Sequence, residues 1–144
     1  HYMLTPRIVI DTNILVAALQ SRQGASHRLL QLIDGGLFET VVSVALVLEY
    51  EAAAKRTTKG NKLTNAEIDS IIDFLCSVAV HQRIHYLWRP FLKDPKDDMV
   101  LELAVAAQCS HILTFNAKDF AGSNRFGIRI QRPAEFLNTI GALP

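Results

Sequence analysis

Acidic side chains in four separate segments are the feature of this 144-residue chain with the clearest chemical potential. Asp11 follows a short apolar run, and Glu49 lies in the apolar stretch LVLEYEAAA, where an unpartnered charge is costly. Residues 94–98 (DPKDD) carry three aspartates, and Asn116 and Asp119 follow the run HILT. Carboxylates gathered at one place repel one another and require a cation, and all-oxygen ligation suits Mg²⁺ or Mn²⁺. One such ion, or two ions about 3.5–4 Å apart, can activate water and stabilise charge on a phosphodiester.

Short apolar runs predict the strands that position these groups. The run RIVI at Arg7–Ile10 is typical of a parallel strand buried on both faces. Further strands are predicted at 38–42, 83–87, 111–114 and around 128–130. In open α/β sheets, functional groups collect at the carboxyl ends of strands, where Asp11, Asn116 and Asp119 fall.

Capping signals predict the helices between the strands. Ser26 is predicted to cap a helix that stops at Gly35-Gly36, and Ser43 to cap one that runs to about Arg56. The spacing of Thr64 and Glu67 is that of a capping box. A helix rich in Leu, Val and Ala is expected from residue 97 to 109, and a terminal one from residue 133. The alternation predicts an α/β fold: a three-layer α/β/α sandwich around a parallel sheet of four to five strands.

Composition is that of one globular domain, which we place at residues 3–144, with His1 and Tyr2 set aside as a remnant preceding Met3. Hydrophobic residues at 49% and charged residues at 20% exclude disorder, collagen and coiled coil. No apolar run approaches the roughly 20 residues of a membrane helix, and we expect a cytoplasmic protein without a membrane partner. Cys76 and Cys109 lack CxxC spacing and are expected to be reduced thiols.

Each acidic group also has a structural explanation when taken singly. Asp11 can cap a helix, and the DPKDD aspartates can complement a helix macrodipole. Glu49 can lie on a solvent-exposed helix face, and Asn116 and Asp119 can be ordinary turn residues. The four structural explanations would all have to hold at once at the same edge of the sheet, and this favours the metal site.

Three segments of the sequence resemble the PIN-domain family, and within it the VapC-like toxin ribonucleases of prokaryotic toxin–antitoxin systems. They are RIVIDTNILVAAL at 7–19, SVALVLEYEAAAKR at 43–56 and DPKDDMVLELAVAAQCSHILTFNAKDF at 94–120. The resemblance implies a Mg²⁺- or Mn²⁺-dependent endoribonuclease. By motif position, it implies catalytic roles for Asp11, Glu49, Asp97 and Asp119, and metal ligation by Asp11, Asp97, Asp98 and Asn116.

The same resemblance implies supporting roles for other residues. Thr12, Asn13, Thr114 and Asp94 would orient the carboxylates. Many family members have Thr-Gly-Asp where this chain has Thr114-Phe115-Asn116, so one acidic charge is missing here. RNA would be held by Lys55, Arg56, Lys59 and Lys62, with Lys96 and Lys118 as helpers, although Lys59 and Lys62 equally suit a solubilising loop. The implied partners are RNA, a cognate antitoxin and a second copy of the chain.

Other functions on a similar framework stay open at this point. One is a non-catalytic RNA-binding or protein-interaction module on the same fold. Another is a different metal-dependent phosphoesterase, such as a haloacid-dehalogenase-type phosphatase, but Asp11-Thr12-Asn13 lacks the second aspartate of its DxDxT motif. A receiver-like signalling domain needs an acidic pair that this chain does not have.

The formal net charge of +1 looks unsuited to an RNA-binding protein. Setting aside the six candidate site acids (11, 49, 94, 97, 98 and 119) leaves 15 Lys and Arg against 8 Asp and Glu, a balance of +7. A cation bound by that cluster would leave a distinctly basic remainder, so the near-neutral total does not exclude RNA.

Overall fold

A five-stranded parallel sheet forms the centre of the molecule. The computed structural model describes residues 5–57, 63–84 and 90–142. The strands are β1 (Arg7–Ile10), β2 (Glu39–Val42), β3 (Val80–His81), β4 (His111–Leu113) and β5 (Arg129–Gln131). Their order across the sheet is β3-β2-β1-β4-β5, and every pairing is parallel. The α/β prediction with four to five strands is confirmed.

Six α-helices connect and follow the strands. They are α1 (Thr12–Gln20), α2 (Ala25–Gln31), α3 (Val44–Thr57), α4 (Asn65–Val78), α5 (Pro95–Ala106) and α6 (Pro133–Thr139). The capping predictions for α3 and α4 are confirmed: Ser43 Oγ accepts from the Leu46 N–H, and Thr64 and Glu67 form the capping box. Within the described residues, no helix combines the length and apolar character needed to cross a membrane.

The sheet lies between two helical layers. Helix α5 packs on β1, β2 and β4, while α1 packs on α2 and α3, and α2 on α6. Right-handed crossovers place the helices of the β1–β2 and β2–β3 connections on the face opposite α5. Because five consecutive residues of α5 (100–104) are buried, this helix is enclosed on most sides and holds a fixed position against the sheet.

Three local predictions are wrong. The cap of α2 is Gly24, and Ser26 is a buried residue inside that helix. The strand predicted at Arg83–Leu87 is β3 at Val80–His81, because the chain becomes extended directly after α4 and pairs at once with β2; residues 85–87 lie outside the described chain. Helix α5 begins at Pro95 rather than Asp97, because Asp94 caps it and proline suits the first turn.

The strand order creates a switch point between β1 and β4. From β1 the chain proceeds outward through β2 and β3, and then returns to add β4 on the other side of β1. Connections leave these neighbours in opposite directions, which opens a crevice at their carboxyl ends. Asp11 and Thr114 are the first residues after the two strands, so the fold brings their side chains to this crevice.

Candidate active site

Asp11 is held at the end of β1 by contacts with the end of β4. Its backbone N–H donates to the Leu113 carbonyl across 2.9 Å. The Thr114 hydroxyl donates to Oδ2 of Asp11 across 2.7 Å, and the Thr12 N–H donates to Oδ1 across 2.9 Å. Asp11 therefore is both the cap of α1 and a carboxylate fixed in one orientation at the switch point.

Thr114 connects this carboxylate to the loop after β4. Its side chain is fully buried, and its hydroxyl accepts from the Asn116 N–H across 3.0 Å. Asn13 bridges the same two segments, since its Nδ2 lies 3.5 Å from the Thr114 hydroxyl and its Oδ1 accepts from the Phe115 N–H across 3.4 Å. These hydrogen bonds make one network of the DTN and TFN segments.

Tyr50 supports the network from below. The side chain is fully buried, and its hydroxyl donates to the carbonyl of Ile10, the residue before Asp11. Burial raises the pKa of the Tyr50 phenol, with the nearby Asp11 charge adding to the effect, so this group stays a neutral donor. This hydrogen bond anchors helix α3 to the end of β1, and Tyr50 is the residue next to Glu49 in that helix.

A cleft of about 460 Å³ opens above this network. Its lining includes the carboxyl groups of four segments, namely Asp11, Glu49, Asp94, Asp97 and Asp119. Thr12, Asn13 and Asn116 also line it, as do the cations Arg56 and Lys96 and the partly buried Phe115. The structure thus brings together four of the predicted catalytic residues at one edge of the sheet.

Two carboxyl groups of the cleft, those of Asp11 and Asp97, have a raised pKa. Burial raises the pKa of Asp11, and the charges of Asp119 and Glu49 add to this, against the lowering effect of the Thr114 hydrogen bond. Burial and the charges of four other aspartates, led by Asp11, raise the pKa of Asp97 to about 6. Perturbation of this kind, caused by burial and by neighbouring like charges, marks candidate functional sites.

Two of the acids have partners of their own. Lys96 Nζ lies 3.4 Å from Oε1 of Glu49, whose side chain is only 22% exposed. This ion pair joins α3 to α5 and explains how a carboxylate is accommodated in an apolar helix sequence. Asp94 caps α5 by accepting from the Lys96 N–H across 2.9 Å.

Two predicted site residues, Asp98 and Lys55, make their contacts outside the cleft. Asp98 lines a different cavity, and its Oδ1 accepts from the backbone N–H groups of Phe91 and Leu92 at 3.2 and 2.8 Å. Lys55 pairs with Asp69 at 2.8 Å and joins α3 to α4. Lys59 and Lys62 lie outside the described residues, and Lys118 is absent from the cleft lining as described.

The donor set of the cleft fits a hard divalent cation. Across residues 5–57, 63–84 and 90–142, no three His, Cys, Asp or Glu side chains converge closely enough to form a ready-made metal site. Mg²⁺ commonly takes only one or two carboxylates directly and keeps several waters. Asp11 and Asp97 are coupled, their pKa values are raised, and the other donors are oxygen atoms, which is the chemistry such an ion selects.

Comparisons with known proteins show the family and the fold of the chain. A family model described as the PIN domain matches residues 7–118. The chain belongs to the PIN-domain family. Among solved structures, this PIN domain is similar to that of VapBC-1 from nontypeable Haemophilus influenzae, with a TM-score of 0.58 and 17% identity over 89% of this chain and 98% of the other. No curated protein sequence matches it.

Sequence reasoning missed two residues beside the cleft of this PIN domain. Phe115 belongs to the TFN motif in the sequence, and in the structure this residue lines the cleft. Arg132 was not considered, although its guanidinium lies 4.8 Å from the centre of that ring. The sequence signal for Phe115 is an aromatic residue in the TFN motif. The position of Arg132 near the cleft cannot be predicted from a local pattern, because it depends on β5 lying beside β4.

Proposed function

We propose that this PIN domain is a Mg²⁺- or Mn²⁺-dependent endoribonuclease that hydrolyses RNA phosphodiesters, and that it is the toxin of a toxin–antitoxin pair. The observation that carries the proposal is the cleft in which Asp11, Glu49, Asp97 and Asp119 meet, with the pKa of Asp11 and Asp97 raised by burial and mutual repulsion. Membership of the PIN-domain family and the likeness to VapBC-1 support the same function.

In this proposal Asp11 and Asp97 hold the cation, with Asn116 as a neutral oxygen ligand. When bound, a divalent ion supplies charge stabilisation for the phosphate and lowers the pKa of water. The Thr114 hydroxyl donates to Oδ2 of Asp11, and this hydrogen bond holds the carboxylate in its orientation toward the cleft. Asp119 is the proposed acceptor for the proton of the attacking water. The side chain of Asp98 is assigned to holding the loop before α5 instead of the metal.

Two cations in the cleft are proposed to hold RNA. Arg56 is exposed on the last turn of α3 and lines the cleft. Lys96 lies at the rim, 66% exposed, with its ammonium group against Glu49. RNA phosphates that enter the cleft would contact these positive charges before they reach the carboxylates, and this favours binding of a polyanion.

The proposed partners follow from the same assignment. A cognate antitoxin protein would suppress the activity in the cytoplasm. A homodimer is proposed as well, and two exposed apolar side chains on one face of α3 support it: Val44 is 77% exposed and Leu48 61% exposed, one helical turn apart. Sedimentation of the purified chain beside a Leu48→Lys variant tests the dimer, because a monomeric wild type contradicts it.

The enzyme is tested by incubating RNA with the protein and Mg²⁺ or Mn²⁺. Asp11→Asn and Asp97→Asn should each lower the cleavage rate by about 100-fold or more, the size expected when one electrostatic group is removed from an active site. Asp34→Asn is the matched control, because Asp34 is exposed and lies off the cleft. Equal cleavage by all four proteins contradicts the proposal. A folded wild type that binds RNA without cleaving it supports the non-catalytic module instead.

The toxin assignment needs a separate experiment. Expression of the wild type should arrest growth, and co-expression of the protein encoded beside it should relieve the arrest. Asp11→Asn should have no effect on growth. If cleavage occurs in vitro but growth is unaffected, the nuclease stands and the toxin assignment is wrong.

A further inference from the structure

Two Arg–Phe pairs occur in the described part of the chain, and they differ in where they lie. In one, the Arg132 guanidinium is 4.8 Å from the centre of the Phe115 ring. In the other, Arg125 is 5.4 Å from the centre of the Phe91 ring. Phe115 contributes to the wall of the acidic cleft, whereas neither member of the second pair is among the residues described as lining it.

The position of Phe115 relative to Asp11 is fixed by hydrogen bonds that involve the side chains of Asn13 and Thr114. The Phe115 N–H donates to Oδ1 of Asn13, and its neighbour Thr114 donates to the Asp11 carboxylate. The ring is therefore only a few bonds from the network that orients the proposed catalytic carboxylate.

Arg132 reaches the ring because β5 lies beside β4. Leu113 is in register with Gln131, and the Thr114 N–H donates to the Gln131 carbonyl across 3.0 Å. Arg132 therefore leaves the sheet at the same edge as Phe115. Its backbone N–H is bound by Glu135 at 2.9 Å, and its Nη1 donates to the Phe115 carbonyl at 3.4 Å. The side chain itself remains exposed to solvent.

An aromatic ring beside an exposed guanidinium is a suitable surface for one nucleotide of a single strand. A base stacks on the ring whatever its identity, and the guanidinium attracts the adjoining phosphate. We propose that Phe115 and Arg132 form a subsite that binds a nucleotide next to the scissile phosphate of a single-stranded RNA. This inference rests on the proposed nuclease function and names part of its substrate contact.

The test measures cleavage and binding of a short single-stranded oligoribonucleotide with Mg²⁺. Base stacking on an aromatic residue is worth about 1–3 kcal/mol, so Phe115→Leu should raise KM by about 5- to 150-fold with little change in kcat. Phe115→Trp should keep the wild-type KM. Arg132→Gln should also raise KM, and Arg132→Lys should restore part of the loss. Arg125→Gln is the matched control and should behave as wild type.

Binding by Asp11→Asn, followed by fluorescence anisotropy, separates this subsite from catalysis. In that background Phe115→Leu should weaken the oligonucleotide Kd, and an oligonucleotide with an abasic site beside the cleavage position should bind both forms equally. If wild type does not cleave RNA at all, the proposed function fails. If it cleaves but Phe115→Leu and Arg132→Gln match Arg125→Gln in KM and Kd, the subsite is wrong. Loss of antitoxin binding with unchanged RNA binding also contradicts it, by assigning the pair to a protein partner.

Discussion

The hydroxyl of Thr114 lies 2.7 Å from Oδ2 of Asp11, and the two residues are 103 positions apart in the chain. The contact joins the ends of the two strands that flank the switch point of the sheet. It also places a buried hydroxyl between a carboxylate and the Asn116 N–H, so one side chain serves both halves of the cleft.

Replacing Thr114 with valine should lower RNA cleavage by about 10- to 100-fold, because a residue that orients a metal-binding carboxylate is usually worth that much. Valine keeps the shape but leaves Oδ2 of Asp11 and the Asn116 N–H without the hydroxyl. Thr114→Ser keeps the hydroxyl and is the matched control. Steady-state rates on one RNA decide the matter, and wild-type rates for Thr114→Val would show that the hydroxyl has no part in activity.

Asp97→Asn should stabilise the metal-free protein at neutral pH. The pKa of Asp97 is raised from 3.8 to about 6, so its contribution to stability is fully present below pH 3.8 and is lost as the pH rises through 6. The residue is partly exposed, and screening by water reduces the effect to about 1 kcal/mol. Urea unfolding in EDTA at pH 4 and pH 7.5 should show the gain only at the higher pH.

The same comparison has a control and a contrary outcome. Asp34→Asn should unfold like the wild type at both pH values, since Asp34 is exposed and off the cleft. An equal gain at pH 4 would show that repulsion from an ionised Asp97 is not the cause.

Asp98→Ala should reduce stability by about 1–3 kcal/mol, because it removes the acceptor for the Phe91 and Leu92 N–H groups. Asp98→Asn retains an acceptor oxygen, so its cleavage rate should stay within a few-fold of wild type. Thermal unfolding and cleavage rates measured together distinguish the two effects. A large loss of cleavage rate in a stable Asp98→Asn protein would indicate that Asp98 is a metal ligand.

Arg56→Gln and Lys55→Gln should differ in RNA binding, although the residues are adjacent. Arg56 lines the cleft, whereas the Lys55 ammonium is held 2.8 Å from Asp69. Loss of one phosphate contact to a single strand should change the slope of log Kd against log salt by about 0.7. Only Arg56→Gln should show that change, and equal slopes for the two variants would place RNA elsewhere.

The sequence predicts the framework well where signals are local. The RIVI strand ending in DTN, the Ser43 cap and the Thr64–Glu67 capping box each specify their element within a few residues. Strand β3 was not predicted at its true position, because a strand of two residues, Val80 and His81, is too short to show an alternating hydrophobic pattern. Pairing with β2 makes them a strand, and that is a tertiary contact.

The candidate site, like the fold, is predictable from the sequence only where the signals are local. That Asp11, Glu49, Asp97 and Asp119 fall together follows from strand ends and motif order. Asp97 and Asp98 could not be separated, because successive helical residues point about 100° apart and the choice depends on how α5 packs. The contact of Arg132 with Phe115 depends on β5 lying beside β4, which no local pattern encodes.

The strand order has a consequence for synthesis. Asp11 is translated 103 residues before its partner Thr114. Strand β4 has to pair beside β1 before these two side chains can form their hydrogen bond. Long-range parallel pairing is slow compared with local folding. A nascent chain therefore carries only part of the cleft until Thr114 has been translated, and the proposed nuclease can act only after β4 has paired beside β1.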